Sequence, residues 1–189
     1  MLNQSQRRWL LRLARQSIAA GLDGRAAPVD ATQLDADLQR PAGAFVTLTT
    51  HRGDLRGCIG SIEARESLYK AVMSSSVSAA LRDPRFPPVS IDELDSLELE
   101  ISVMGPLEVV TSKEEIEVGR DGLIISRGRF AGLLLPQVAT DYGWDRETFL
   151  SQTCVKAGLA PDAWRGGDCR VQRFSAEVFR EKGHSDSIS

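Results

Sequence analysis

The segment 55–60, Leu55-Arg56-Gly57-Cys58-Ile59-Gly60, carries the side chains best suited to chemistry. Side chains alternate along an extended segment, so Arg56 and Cys58 are expected on one face. An arginine beside a thiol favours the thiolate, the form that acts as nucleophile or ligand. Gly57 and Gly60 remove side chains next to the sulfur, which lets a ligand or another backbone come close. Cys58 therefore has two readings: a candidate nucleophile activated by Arg56, or a small buried hydrophobe of the kind free cysteines often are. The candidate general base is Glu100, which faces away from the apolar stripe of its strand. His51 and His184 are the only histidines, and neither falls where it would serve the thiol.

An arginine fork matches a carboxylate or a phosphate, so an anionic small molecule is the expected substrate class. The expected binding set is Arg56, Gly57, Gly60, Asp83, Arg85 and Gln137. Arg56 equally suits an ion pair, with Asp83 or Glu100 as its partner. Asp83 and Arg85 sit on a stiff proline segment, Asp83-Pro84-Arg85-Phe86-Pro87-Pro88, where Phe86 adds an aromatic wall. Gln137 follows Pro136 at an expected helix start, where it either meets an anion or satisfies the helix end. Gly119-Arg120-Asp121-Gly122 reads as a tight turn in which Asp121 caps its own backbone. The chain holds no Gly-x-Ser-x-Gly elbow, Rossmann fingerprint, Walker motif or His-Glu-x-x-His. It also lacks Cys-x-x-x-Cys-x-x-Cys, so it is not itself a radical S-adenosylmethionine enzyme.

Neighbouring elements must position these residues. Residues 5–20 show three- and four-residue apolar spacing: a helix with Gly21 as its stop and Arg7, Arg8, Arg12 and Arg15 on the solvated face. Residues 44–50 are β-branched and aromatic, and form a strand. His51-Arg52-Gly53-Asp54 turns the chain, and 55–62 returns as the second strand of a hairpin. If Thr50 pairs with Leu55, Thr47 lies opposite Cys58 and Thr49 opposite Arg56. Ser67 is the expected N-cap of a helix to Leu81, whose small residues Ser74, Ser75, Ser76 and Ser78 call for a close neighbour. Ser90 and Glu93 fit a capping box. Leu97, Leu99, Ile101 and Val103 alternate with Glu98, Glu100 and Ser102, which marks a half-buried strand. A hairpin turning at 127–129, helices from Pro136 and Asp145, and a strand over 169–180 complete the pattern. Hairpins mix with helices and no βαβ alternation appears. The expected fold class is α+β, a mainly antiparallel sheet with flanking helices.

The length of 189 residues suits one domain with room for a small lobe, here 5–180, with 181–189 read as a disordered tail. A net charge of −3 argues against a general polyanion-binding surface. Nucleic-acid binding through the arginine-rich first helix and Arg127/Arg129 is the weakest reading. Cys58, Cys154 and Cys169 are odd in number and widely spaced, which argues against a disulfide framework and for a reducing cytoplasm. Arginines interrupt any N-terminal apolar run, and no stretch reaches the roughly 18 apolar residues of a membrane span. With two histidines and no Cys-x-x-Cys, no structural zinc site is expected and no cofactor is named, while a metal bound by scattered carboxylates stays open.

Several segments together resemble the AMMECR-domain family, the protein A of the AmmeMemoRadiSam system. They are Gly43-Ala44-Phe45-Val46-Thr47-Leu48, Leu55 to Gly60, Asp83 to Val89, Glu100-Ile101-Ser102-Val103, and Gly119-Arg120-Asp121-Gly122-Leu123-Ile124-Ile125. Gly132-Leu133-Leu134-Leu135-Pro136-Gln137-Val138-Ala139 and Trp144-Asp145 continue the series. The resemblance implies a larger and a smaller lobe with a cleft between them. It also implies work alongside a Memo-like protein and a radical S-adenosylmethionine protein. It supplies no reaction. Two functions are carried forward: a protein that binds, and can transform, an anionic small molecule in that cleft around Arg56 and Cys58; or a non-catalytic assembly module in which Cys58 is structural.

Overall fold

A computed structural model describes residues 1–181; of the expected tail, only Glu181 lies among the described residues. The chain divides into two compact units. Among the described residues the first comprises Met1–Met104 and 177–181; the second is Gly105–Ala176.

The first unit opens with helix α1 (Gln4–Leu22). Asn3 and Gln6 form a capping box at its start: Asn3 Oδ1 accepts the Gln6 N–H at 3.0 Å, and Gln6 Oε1 accepts the Asn3 N–H at 2.6 Å. Leu10, Ala14 and Ile18 bury one stripe completely. The helix runs past the expected stop at Gly21. That glycine serves packing instead, since a β-carbon there would stand 3.2 Å from Val77. A short helix α2 (Ala36–Gln39) leads to strands β1 (Ala44–Thr50) and β2 (Leu55–Ser61). Helix α3 (Leu68–Leu81) follows, and its stripe of Leu68, Ala71, Val72, Ser75 and Ala79 is buried. Ser67 makes no side-chain cap there. Backbone secures the start of α3 instead: the Leu68 N–H donates to Arg40 O at 2.9 Å, beside a bridge between Pro41 and Ser67. Helix α4 (Ile91–Leu94) then precedes strand β3 (Leu97–Met104). The Ser90 hydroxyl caps α4, but the Glu93 side chain is used elsewhere, so half of the expected capping box forms.

Strand β1 lies between β2 and β3, antiparallel to both. Alternate residues are buried in β1 from Ala44 to Leu48 and in β3 from Leu97 to Ile101, after which β3 is buried on both faces to Met104. Val46, Leu48, Leu99 and Ile101 are among them, and α3 and α1 pack against these strands. Burial of each such side chain contributes roughly 1.5–3 kcal/mol.

In the second unit a two-residue strand β4 (Glu108–Val109) precedes the hairpin of β5 (Asp121–Arg127) and β6 (Phe130–Leu134). Gly128, with φ of 58°, permits the tight turn between them. Helices α5 (Pro136–Asp141) and α6 (Arg146–Lys156) follow. Strand β7 (Arg170–Arg180) pairs with β4 and β5, and its last residues belong to the first unit, beyond β3. Leu123, Ile125, Phe149 and Cys154 form the buried centre of this unit. The molecule is α+β with a mainly antiparallel sheet and flanking helices, as expected.

Candidate functional site

The sheet of the first unit has an apolar face beneath its helices and a polar face opposite. Thr47, Cys58 and Glu100 are half-buried on the polar face. The register sets Thr47 opposite Cys58 on one side and opposite Glu100 on the other. Thr47 Oγ1 lies 3.3 Å from Cys58 Sγ, close enough to donate to the sulfur. Arg180, at the end of β7, extends the row, with Nε 3.9 Å from Glu100 Oε2. Burial pushes the Glu100 carboxyl above its ordinary range, and Arg180 partly opposes this. The expected base therefore sits two strands from the thiol, with Thr47 between them.

β2 is an edge strand, so the outward N–H and C=O of Cys58 need partners. Asp83 and Arg85 supply them. Asp83 Oδ2 accepts the Cys58 N–H at 2.9 Å, and an Arg85 Nη donates to the Cys58 carbonyl at 3.2 Å. Arg85 in turn grips Asp83 through Nε and Nη2, at 2.9 and 2.7 Å. These Arg85 hydrogen bonds come first, then the Cys58 and Arg85 backbone N–H groups, in holding the buried Asp83 carboxyl well below the usual carboxylate range despite its desolvation. Because the backbone of Cys58 points away from β1, Thr47 and Cys58 form the non-hydrogen-bonded kind of pair. In such pairs the side chains approach most closely.

Arg56 departs from the expected arrangement. The pairing shifts between Leu48 and Thr49, so Thr49 faces Leu55 and Arg56 becomes the extra residue of a β-bulge. Its partner is Glu93, not Asp83 or Glu100: Nε lies 2.5 Å from Oε1, and Nη2 lies 3.0 Å from Oε2. The Arg56 side chain is 13% exposed, and its Nη1 is buried without a hydrogen-bond partner among the described residues. The cation on the Cys58 peptide is therefore Arg85. Phe86 stands near both guanidinium groups, 6.0 Å from Arg56 and 5.5 Å from Arg85.

Both expected glycines make room for the protein's own atoms. A β-carbon on Gly57 would stand 2.2 Å from the Ala79 carbonyl of α3, and one on Gly60 would strike Phe45. Gln137 belongs to the second unit, in the first turn of the six-residue α5. Its Oε1 is buried without a partner among the described residues. A bare acceptor asks for a donor rather than an anion. Asp121 is buried at the start of β5, where it accepts the Glu117 N–H at 2.9 Å and pairs with Arg120. Asp121 thus caps backbone as expected, but the turn ends at Arg120 rather than spanning 119–122, because Asp121 and Gly122 already belong to β5. Among the described residues no group of three or more His, Cys, Asp or Glu side chains is placed to hold a metal ion. No helix among them is long and apolar enough to cross a membrane.

Sequence reasoning missed Glu93 and Arg180 as members of this neighbourhood. The expected pairing of Thr47 with Cys58 is present, although Leu55 pairs with Thr49 rather than Thr50 and the bulge at Arg56 makes up the difference.

The family model for AMMECR1 matches residues 11–179. The chain belongs to the AMMECR1 family. An AMMECR1-family relative from Methanothermobacter thermautotrophicus is 45% identical over 188 residues, covering 96% of this chain and 97% of that protein. Protein PF1979 of Pyrococcus furiosus is 43% identical over 183 residues, 92% of this chain and 87% of its own. The crystal structure of protein PH0010 from Pyrococcus horikoshii matches with a TM-score of 0.85 at 41% identity, covering 92% of this chain and 90% of that one.

Proposed function

We propose that this AMMECR1-family protein binds a small anionic molecule over the polar face of the first unit's sheet, with Cys58 as its reactive group. The observation that carries the reading is the single row Cys58–Thr47–Glu100–Arg180 across four neighbouring strands. A cation stands at each end. Arg85, 53% exposed, rests on the Cys58 peptide, and Arg180, 74% exposed, stands beside Glu100. An anion between them meets a thiol, a hydroxyl donor and a carboxyl whose raised affinity for protons suits proton transfer. Arg56 holds the bulge through Glu93, and Gln137 has no part in this reading. The resemblance to protein A of the AmmeMemoRadiSam system makes a Memo-like protein and a radical S-adenosylmethionine protein the partners that would supply or consume the ligand.

Competing alkylation tests this without knowing the ligand. Cys58 should prefer anionic iodoacetate over neutral iodoacetamide more strongly than glutathione does, with Cys154 and Cys169 replaced by serine. Arg85→Gln and Arg180→Gln should reduce that preference. A ratio equal to that of glutathione, or a thiol inert until unfolding, would count against the site.

One observation favours the alternative of a docking module. Pro84, Arg85, Pro87 and Pro88 are exposed, and the Asp83 clamp stiffens the segment that carries them. Such a ridge suits a protein partner. Co-purification with the Memo-like protein that survives Arg85→Ala and Phe86→Ala would exclude the ridge as the contact.

A further inference from the structure

We infer that the groove between the outer face of α1 and the end of β7, within the first unit, is a second binding site. Its ligand class is an amphipathic anion: an aliphatic chain ending in one carboxylate or phosphate group. The groove is a cavity of about 600 Å³, within the range that small-molecule sites occupy. Four arginines line it, Arg7, Arg8, Arg12 and Arg180, although the chain as a whole carries a net charge of −3. Leu11 and Phe179 supply its apolar floor, and the arginine stems add methylene wall.

The charges at the groove are unequally matched. Arg7 pairs with Glu177 at 2.9 Å and lies 6.0 Å over the Phe179 ring. Glu181, the carboxylate that lines the groove, is held by Arg15 at 2.6 Å. Arg8 and Arg12 are exposed and form no ion pair among the described residues. Four residues apart on one helix, they face the same way and repel each other. An anion between them removes that repulsion and accepts hydrogen bonds from both. Its chain then lies over Leu11 and Phe179. A nucleic acid would use the arginines but not the floor, which is why a single-headed amphiphile fits better. The groove shares Arg180 with the Cys58 row but not Cys58 itself, and Arg8 and Arg12 stand outside that row, so a test on those two is separate from alkylation of the thiol.

The full chain is titrated calorimetrically with decanoate below its micelle concentration, with acetate, and with decanol. Decanoate should bind saturably at one site, and acetate and decanol should each bind at least tenfold more weakly. The Arg8→Gln/Arg12→Gln double variant should lose about tenfold or more in decanoate affinity while melting at an unchanged temperature. The inference is overturned if decanoate does not bind, if acetate matches it, or if the double variant binds it equally well. Capture by anionic-lipid vesicles or by single-stranded RNA without decanoate binding would overturn it too, since the arginines would then serve a surface rather than a pocket.

Discussion

Asp83 Oδ2 accepts the backbone N–H of Cys58 at 2.9 Å, across 25 residues of chain. With Arg85 on the neighbouring carbonyl, one ion pair does for the edge of β2 what a further strand would do. The same pair keeps a guanidinium beside the thiol and anchors the proline segment. Stability and the candidate chemistry therefore share one residue, which makes Asp83 the most consequential position of the site.

Asp83→Asn should destabilise the protein by about 2–3 kcal/mol, because it removes the charge that pairs with Arg85 and turns one of two accepting oxygens into an NH2 facing other donors. The folded carboxyl titrates below its unfolded value of 3.8. Its contribution is therefore present above that value and is lost as pH falls through the lower folded one. Urea melts of the parent between pH 7 and pH 2 should show a decline below about pH 4 that is smaller in the variant. Equal declines would assign the acid sensitivity to other groups.

Gly57→Ala should cost about 2–3 kcal/mol. The added carbon would meet the Ala79 carbonyl at 2.2 Å, and backbone on both sides cannot turn away as a side chain could. Chemical denaturation reads the loss directly. A variant as stable as the parent would mean that α3 sits farther from β2.

The three thiols should react in a set order. Cys154 is fully buried and Cys169 half-buried, and burial pushes both thiols up, away from the reactive thiolate. Cys58 is half-buried on the polar face beside a hydroxyl. Peptide mapping after brief N-ethylmaleimide treatment at pH 7.5 should find Cys58 modified roughly tenfold or more ahead of Cys154. Modification of Cys154 first would contradict the described packing.

Glu100 should oppose folding at neutral pH. Burial raises its folded value above the ordinary 4.5, so its favourable contribution is present below that value and is lost as pH rises through the folded one. Glu100→Gln should raise the Tm at pH 7 by roughly 1–3 °C and change it less at pH 4. Arg180→Met should raise the Glu100 value further in a carbon-detected NMR titration, because the opposing charge is gone.

The sequence by itself determined much of this protein. Period-two alternation and the short turn at His51–Asp54 marked the hairpin that carries Thr47 and Cys58, and the alternation of β3 put Glu100 on the polar face. The pairing of Thr47 with Cys58 came out as expected because the bulge offsets a turn that pairs Leu55 with Thr49. The spaced segments from Gly43 to Trp144 were enough to identify the family. Tertiary structure alone decided the rest. A bulge carries no mark in residue type, so the displacement of Arg56 was invisible. Its choice of Glu93 over Asp83 or Glu100 was invisible too, since three carboxylates look alike until packing brings one within reach. The glycines of Leu55–Gly60 signalled close approach without naming the neighbour, which proved to be the α3 carbonyl and Phe45. Strand β4, at two residues, is too short for any periodicity to register. Local patterns report alternation and turns, whereas ion pairs and close contacts depend on which distant segments share an edge.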